Sequence, residues 1–137
     1  MGISNVFDVT GTALNVQSIH MDIIAQNMAN VEVVSGSEES AFKARRPVFA
    51  TMLSSSFNQN STNGVKVDGM SSSQAPVEKQ RMPGNPMADE DGYVYLSNVN
   101  MVEEMAYMMQ ASRSYQANIE VLNTSKQLMI RTLSLGS

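Results

Sequence analysis

Cysteine is absent from the 137-residue sequence and histidine occurs once, so several kinds of chemistry are excluded at the outset. A chain without cysteine has no disulfide, no thiolate metal site and no cysteine nucleophile. The single histidine, His20, cannot supply the several imidazole ligands of a typical zinc site. The sequence also lacks a Gly-x-Ser-x-Gly motif and a glycine-rich phosphate loop. We therefore expect no enzyme activity, no cofactor and no metal site.

Positive charge is also scarce, with Lys+Arg 9 against Asp+Glu 13 and a formal net charge of -4. Proteins that bind nucleic acid cluster Lys and Arg to neutralise phosphates, yet residues 1–34 contain neither. No run approaches the roughly 18 consecutive apolar residues of a membrane span. The N-terminus lacks the basic start and apolar run of a cleaved signal peptide. Neither nucleic-acid binding nor direct membrane insertion is expected.

Charged residues of both signs together make up only 16% of the chain, below the roughly 25% usual for globular domains. Twelve methionines help to fill the gap. Because methionine is unbranched and adaptable, it suits surfaces that pack against several neighbours, although it also fills ordinary cores. Composition alone leaves both interpretations open.

Residues 3–31 predict a long helix, because their seam positions alternate steps of four and three. A spacing of 3.5 residues held over four heptads indicates a helix that lies along a partner helix. Thr10 and Gln17 are its polar exceptions. The seam consists of Ile3, Phe7, Thr10, Leu14, Gln17, Met21, Ile24, Met28 and Val31.

A second, longer helix is predicted over residues 98–135 by the same alternation. Asn100 followed by Glu103 matches a capping box at its start. At about 1.5 Å per residue this helix would span roughly 57 Å, more than a domain of this size needs. A rod-like element is therefore predicted. Its seam consists of Met101, Met105, Met108, Ser112, Tyr115, Ile119, Leu122, Lys126, Met129 and Leu133.

Each predicted helix also carries a second apolar stripe, which one partner helix does not cover. Packing on several sides is one interpretation, and a compact helical hairpin packed on the middle segment is the other. The second stripes consist of Val6, Ala13, Val16 and Ile23 on the first helix and of Val102, Ala106, Met109 and Val121 on the second.

The middle of the chain has a different composition, with all four prolines and five glycine or proline turn signals. Short strands are predicted at 46–53, 64–68, 77–82 and 93–96, with a mobile loop at 54–63. The predicted class is α+β, in which long N- and C-terminal helices pair as an antiparallel coiled coil around a small β-rich, loop-rich insertion. The predicted parts are residues 1–34, 35–97 and 98–137.

Three blocks of sequence, near both ends and before the second helix, form a specific pattern. They are ASRSYQANIEVLNT at 111–124 with TLSLG at 132–136, PGNPMADEDGYV at 83–94 with NVN at 98–100, and AQNMAN at 25–30. Together the blocks resemble the bacterial flagellar basal-body rod proteins, and within them the subunits of the proximal rod. The chain departs from that family at residues 31–33, where rod proteins commonly carry a threonine.

The resemblance implies a structural subunit that polymerises through its terminal helices into a hollow drive shaft, which transmits torque and passes export substrates. The implied partners are copies of itself, other proximal-rod and distal-rod subunits, the MS-ring protein and the flagellar type III export apparatus. The implied location is the periplasmic rod, reached without a cleaved signal peptide. Residues 1–34 and 98–137 would then form one axial helical domain.

Two other classes of function remain open from the residues alone. A monomeric helical adaptor or secretion chaperone would bind one client through a methionine-rich groove. An enzyme that cleaves cell-wall glycan would need a pair of carboxylates in a cleft.

Site residues follow from assigning the seams to contacts within the subunit and the outer faces to contacts between subunits. Helix pairing within the subunit is predicted for Phe7, Leu14, Met21, Ile24, Met28, Met105, Met108, Tyr115, Ile119, Leu122, Met129 and Leu133, with Tyr115 and Ile119 as anchors. Contacts between subunits are predicted for Val16, Ile23, Asn27, Asn30, Arg113, Gln116, Asn118 and Val121.

Overall fold

The computed structural model describes residues 3–52 and 64–136, and side chains from residue 5 onward within those ranges. Two long helices bracket five short strands, which confirms the predicted α+β class. The predicted loop at 54–63 and the predicted strand end at Leu53 lie outside the described residues. The elements in chain order are α1 (Ile3–Ala29), β1 (Val34–Ser35), β2 (Arg45–Met52), β3 (Gly64–Ser72), β4 (Lys79–Arg81), β5 (Tyr93–Leu96) and α2 (Met101–Leu135).

Helices α1 and α2 pack against each other in antiparallel directions. Asn27, near the end of α1, donates a hydrogen bond to Glu104, near the start of α2. Ten residues earlier in α1, Gln17 shares a cavity with Gln110 and Ser114 of α2. Because residue numbers rise along α2 as they fall along α1, the two helices run in opposite directions. α2 begins where Asn100 caps it by accepting hydrogen bonds from the backbone of Val102 and Glu103.

The β2–β3 hairpin covers a second side of α1. Its antiparallel register runs from Arg45 opposite Ser72 to Met52 opposite Gly64. The hydroxyl of Thr12 accepts a hydrogen bond of 3.2 Å from the backbone N–H of Val65. A Cβ at position 64 would lie 3.0 Å from that hydroxyl oxygen, so glycine permits this close approach. The hairpin therefore fixes a flank of α1 that the helix pair leaves open.

The second sheet is formed by strands from the part of the chain that connects the two helices. Its strands are ordered β1-β5-β4, all antiparallel, and Val94 on the central strand is fully buried. Asn98, two residues after the end of β5, accepts a hydrogen bond from the backbone N–H of Ala44 at 2.7 Å and donates one to the carbonyl of Ala75 at 2.8 Å. These bonds set the direction in which the chain enters α2.

Neither of the two long helices has an 18-residue stretch apolar enough to cross a membrane, in the part of the chain that the structure describes.

Candidate assembly interface

Four side chains form a polar junction where α1, α2 and β2 meet. Asn27 of α1 donates to the Glu104 carboxylate at 3.2 Å, and Arg46 of β2 pairs with the other carboxylate oxygen at 2.5 Å. The Arg46 guanidinium also lies 4.7 Å from the ring centroid of Tyr107. The polar junction consists of Asn27, Glu104, Arg46 and Tyr107.

The backbone of β2 is held to α1 by the same asparagine. The Asn27 side chain accepts a hydrogen bond of 2.9 Å from the Arg45 N–H and donates one of 2.9 Å to the Arg45 carbonyl. Both Asn27 and Glu104 are completely buried, so their polar groups depend on these partners. Because a buried ion that loses one partner is strongly destabilising, the junction favours one relative placement of the three elements.

A cavity of about 370 Å³ opens beside the polar junction, between α1, α2 and β2. Its wall includes His20, whose ring packs edge-on against Phe49 with centroids 5.6 Å apart. Burial lowers the pKa of His20, the Arg46 charge lowers it further, and the Glu104 charge partly opposes them. The buried Oε1 of Gln17 has no hydrogen-bond partner among the described residues. The lowered pKa of His20 favours its neutral ring near pH 7.

Nine of the residues predicted to pair the helices are at least partly buried. Ile24 is fully buried. Eight others are half-buried on the two helices: Phe7, Leu14, Met21 and Met28 on α1, and Met108, Tyr115, Leu122 and Met129 on α2.

Five of the ten residues predicted for the α2 seam are exposed: Met101, Met105, Ile119, Lys126 and Leu133. Met105 is 52%, Ile119 38% and Leu133 69% exposed. The positions of α2 with the least exposure instead follow a heptad line rotated by one residue, which runs through Glu104, Met108, Ala111, Tyr115, Asn118, Leu122, Ser125 and Met129. Only every second position of the predicted seam is shared with this line. Because Ile119 is partly exposed, its role as an anchor of the helix pair stays a prediction.

The structure places several residues predicted for contacts between subunits inside the chain. Val16, Ile23 and Asn27 are buried. Helix periodicity puts all three on the side of α1 that carries the β2–β3 hairpin, which the sequence pattern did not predict. Asn118 is half-buried on the α2 line of least exposure, and the amide of Asn30, just after α1, donates a hydrogen bond of 2.7 Å to the Gln26 carbonyl.

Three other predicted contact residues, Arg113, Gln116 and Val121, are exposed on α2 and remain available to a neighbour. They belong to a larger exposed surface. Large apolar side chains that are at least one-third exposed occur along the whole of α2: Met101, Val102, Met105, Tyr107, Met109, Ile119, Val121, Leu128, Ile130, Leu133 and Leu135. This number of exposed large apolar side chains on one helix favours contact with another protein.

The polar junction was not predicted as a site, although part of its signal is present in the sequence. Glu104, Ala111, Asn118 and Ser125 recur every seven residues beside the apolar positions of α2. A buried glutamate on such a line requires a polar partner on the facing helix. Arg46 and Tyr107 carried no comparable signal, because their contacts depend on where β2 lies.

Comparison with known proteins gives one consistent result. The family model described as "Flagellar basal body rod FlgEFG protein C-terminal" matches residues 90–135. The flagellar basal-body rod protein FlgC of Salmonella typhimurium strain LT2 is 46% identical over 136 residues, which cover 99% of each chain. The proteins of the same name from Escherichia coli O157:H7 and Buchnera aphidicola of Acyrthosiphon pisum are 45% and 36% identical, also with 99% of each chain covered.

Proposed function

This chain belongs to the FlgC family of flagellar basal-body rod proteins, and on that premise we propose that it polymerises through its terminal helices into the proximal rod. Membership makes it a structural subunit of the rod rather than an enzyme, one that supports flagellum-dependent motility. As a rod subunit it associates with copies of itself and with other rod components.

The observation that carries the proposal is the apolar surface along α2. A helix of 35 residues buries only Glu104 and Ala111 within its own chain. Val102, near its start, is 76% exposed and Leu135, at its end, is 88% exposed. Leaving this much apolar surface in water is unfavourable, at roughly 25 cal/mol for each Å² that a partner would cover. Neighbouring subunits in the rod would supply that cover.

A low density of charge supports the same proposal. α1 contains two acidic residues, Asp8 and Asp22, and neither lysine nor arginine. Few ions therefore need to be desolvated when the helices pack against neighbours, a cost that often exceeds the attraction recovered. Subunits can meet through two different surfaces, so that each contact rotates the next subunit by the same angle. When repeated rotation does not return to the first subunit, the subunits form a helical array rather than a ring. A hollow array of this kind transmits torque and passes export substrates.

The proposal also includes a location and further partners. Within the basal-body rod, the chain would occupy the periplasmic part, after export through the flagellar type III apparatus without a cleaved signal peptide. The MS-ring protein is proposed as the neighbour at the base of the rod.

Basal bodies purified from the bacterium that makes this chain test the proposal. Quantitative mass spectrometry should find the chain in the purified particles in several copies, at a constant ratio to the other rod subunits. A monomeric adaptor or secretion chaperone would instead remain in the soluble fraction, and finding the chain only there would contradict the proposal.

A further inference from the structure

Two outward-facing stripes, one on each helix, repeat the same spacing of four and three residues. The α1 stripe consists of Ser18, Asp22, Ala25 and Ala29, and the α2 stripe consists of Thr124, Leu128, Arg131 and Leu135. All eight residues are exposed. Because the two stripes share one spacing, they can lie against each other in register as two packed helices.

The α2 stripe reaches beyond the helix that pairs with α2 in the same chain. Asn27 and Glu104 are in contact, and the two helices run antiparallel. Counting equal numbers of residues away from that contact places Ile3, the first described residue of α1, beside Leu128. Arg131 and Leu135 therefore lie past the described start of α1. The end of α2 has apolar surface that its own α1 does not cover.

We propose that the α2 stripe of one copy packs antiparallel against the α1 stripe of a second copy, with Arg131 opposite Asp22. This interface rests on the proposed function, because it names the surfaces through which the subunits associate. The same register sets Leu128 opposite Ala25, Leu135 opposite Ser18 and Thr124 opposite Ala29.

Charge complementarity favours a second copy as the occupant. Each stripe holds one charged residue, and the two charges are opposite in sign. The ion pairs among the described residues are Arg46 with Glu104 and Lys66 with Asp68, so Asp22 and Arg131 have no ionic partner there. When Arg131 lies opposite Asp22 in an antiparallel pair, the other residues of the two stripes also lie opposite one another, because the two stripes share one spacing.

Size complementarity supports the same register. Leu128 is 55% and Leu135 88% exposed, whereas the residues opposite them, Ala25 and Ser18, are small. Large side chains fit between small ones when helices pack closely. The contact joins the α1 stripe of one copy to the α2 stripe of another. Because every copy has both stripes, the association continues from copy to copy.

Cross-linking between introduced cysteines tests the register directly, because the sequence contains no native cysteine. In the Ala29→Cys/Thr124→Cys chain, a short bis-maleimide should join copies into a ladder of dimers, trimers and larger species. The matched control is Ala29→Cys/Asn123→Cys, whose second cysteine is also exposed but lies on another face of α2. We expect at least about tenfold fewer trimers from the control. Equal ladders from the two chains would overturn the interface.

Charge reversal provides a second test on the full-length protein. Asp22→Lys and Arg131→Glu should each weaken association by about tenfold, because each places like charges opposite one another. Combining the two substitutions should restore association to near the level of the unmodified chain. Lys126→Glu makes the same charge change on α2 outside the stripe and should have little effect.

The outcomes separate this interface from the proposed function. If the unmodified chain associates in sedimentation but the double reversal restores nothing, the interface is wrong while polymerisation stands. If no version of the chain associates with itself at any concentration, the proposed self-association fails, and the interface fails with it.

Discussion

Asn27 connects three elements with one side-chain amide. It bonds both backbone groups of Arg45 and the carboxylate of Glu104, and no part of it reaches solvent. Asn27→Ala removes all three bonds and leaves the buried Glu104 carboxylate with one fewer donor. We expect the free energy of unfolding to fall by about 2–4 kcal/mol. Urea denaturation followed by circular dichroism measures the change.

Gln26→Ala is the matched control for that substitution, because Gln26 is the adjacent residue on α1 and is exposed. Its effect should stay within about 0.5 kcal/mol. A similar loss for both variants would show that the hydrogen bonds of Asn27 are not what holds the hairpin and the two helices together.

His20 links stability to pH through a single titrating ring. Burial and the neighbouring Arg46 lower its pKa in the folded chain, while the unfolded chain binds the proton near pH 6.5. The unfolded state therefore takes up more protons as pH falls below that value, and stability falls with it. Above pH 6.5 the ring is neutral in both states and the contribution of His20 is fully present.

The measurement compares the chain with a His20→Gln variant by urea denaturation between pH 8 and pH 5. Acidic residues titrate in both proteins, so the difference between them isolates the ring. We expect the unmodified chain to lose more stability than the variant on going below pH 6.5. A parallel decline of the two curves would contradict the assignment of a lowered pKa to His20.

Leu122 belongs to both the predicted seam and the observed one, so it tests the pairing of α1 with α2 as elements. It is half-buried and lies on the α2 line of least exposure. Leu122→Asp places a carboxylate in that contact, where desolvation is costly. We expect failed rod assembly and loss of swimming in soft agar, while immunoblots still detect the protein. Asn123→Asp, one exposed position along, should swim normally. Normal swimming by Leu122→Asp would show that this contact is not needed.

Local sequence patterns predicted the elements well where local forces decide them. The first helix ends at Ala29 rather than Val31, and the second begins after the predicted Asn100 cap. Strand β5 has the predicted bounds, while β3 is longer than predicted and β4 shorter. β1 has two residues, too few for an alternating pattern to appear. These results reflect caps and side-chain periods, which act over a few residues.

The rotation of the α2 seam could not be predicted from periodicity. Two heptad lines flank the shared positions Met108 and Tyr115, one through the apolar Met105 and one through Glu104. Hydrophobicity favours the first line, and the fold uses the second because Glu104 meets both Asn27 and Arg46. Those partners come from elements distant in sequence, so the choice is tertiary. The side of α1 on which the hairpin lies was missed for the same reason.

At the scale of the whole molecule, the family could be recognised from sequence blocks, whereas the division between inner and outer contacts could not. Val16 and Ile23 form an apolar stripe that suits a neighbouring subunit as well as it suits a hairpin of the same chain. Only the position of β2–β3 decides between them. The surface left for assembly is therefore narrower on α1 than the sequence suggests, and broader on α2.

The uneven support along α2 predicts how the dilute monomer behaves. Residues 104–122 include the buried Glu104 and Ala111, whereas residues 129–135 extend past the described start of α1 with Ile130, Leu133 and Leu135 exposed. Helical turns without tertiary packing are marginal in water, so they open readily. Hydrogen exchange should therefore be fast in 129–135 and slow around Ala111 in the dilute chain. On assembly, neighbours would cover the end of α2, and protection there should rise by at least about tenfold. Residues 129–135 that are already fully protected in a dilute monomer would mean that α2 is completed within its own chain.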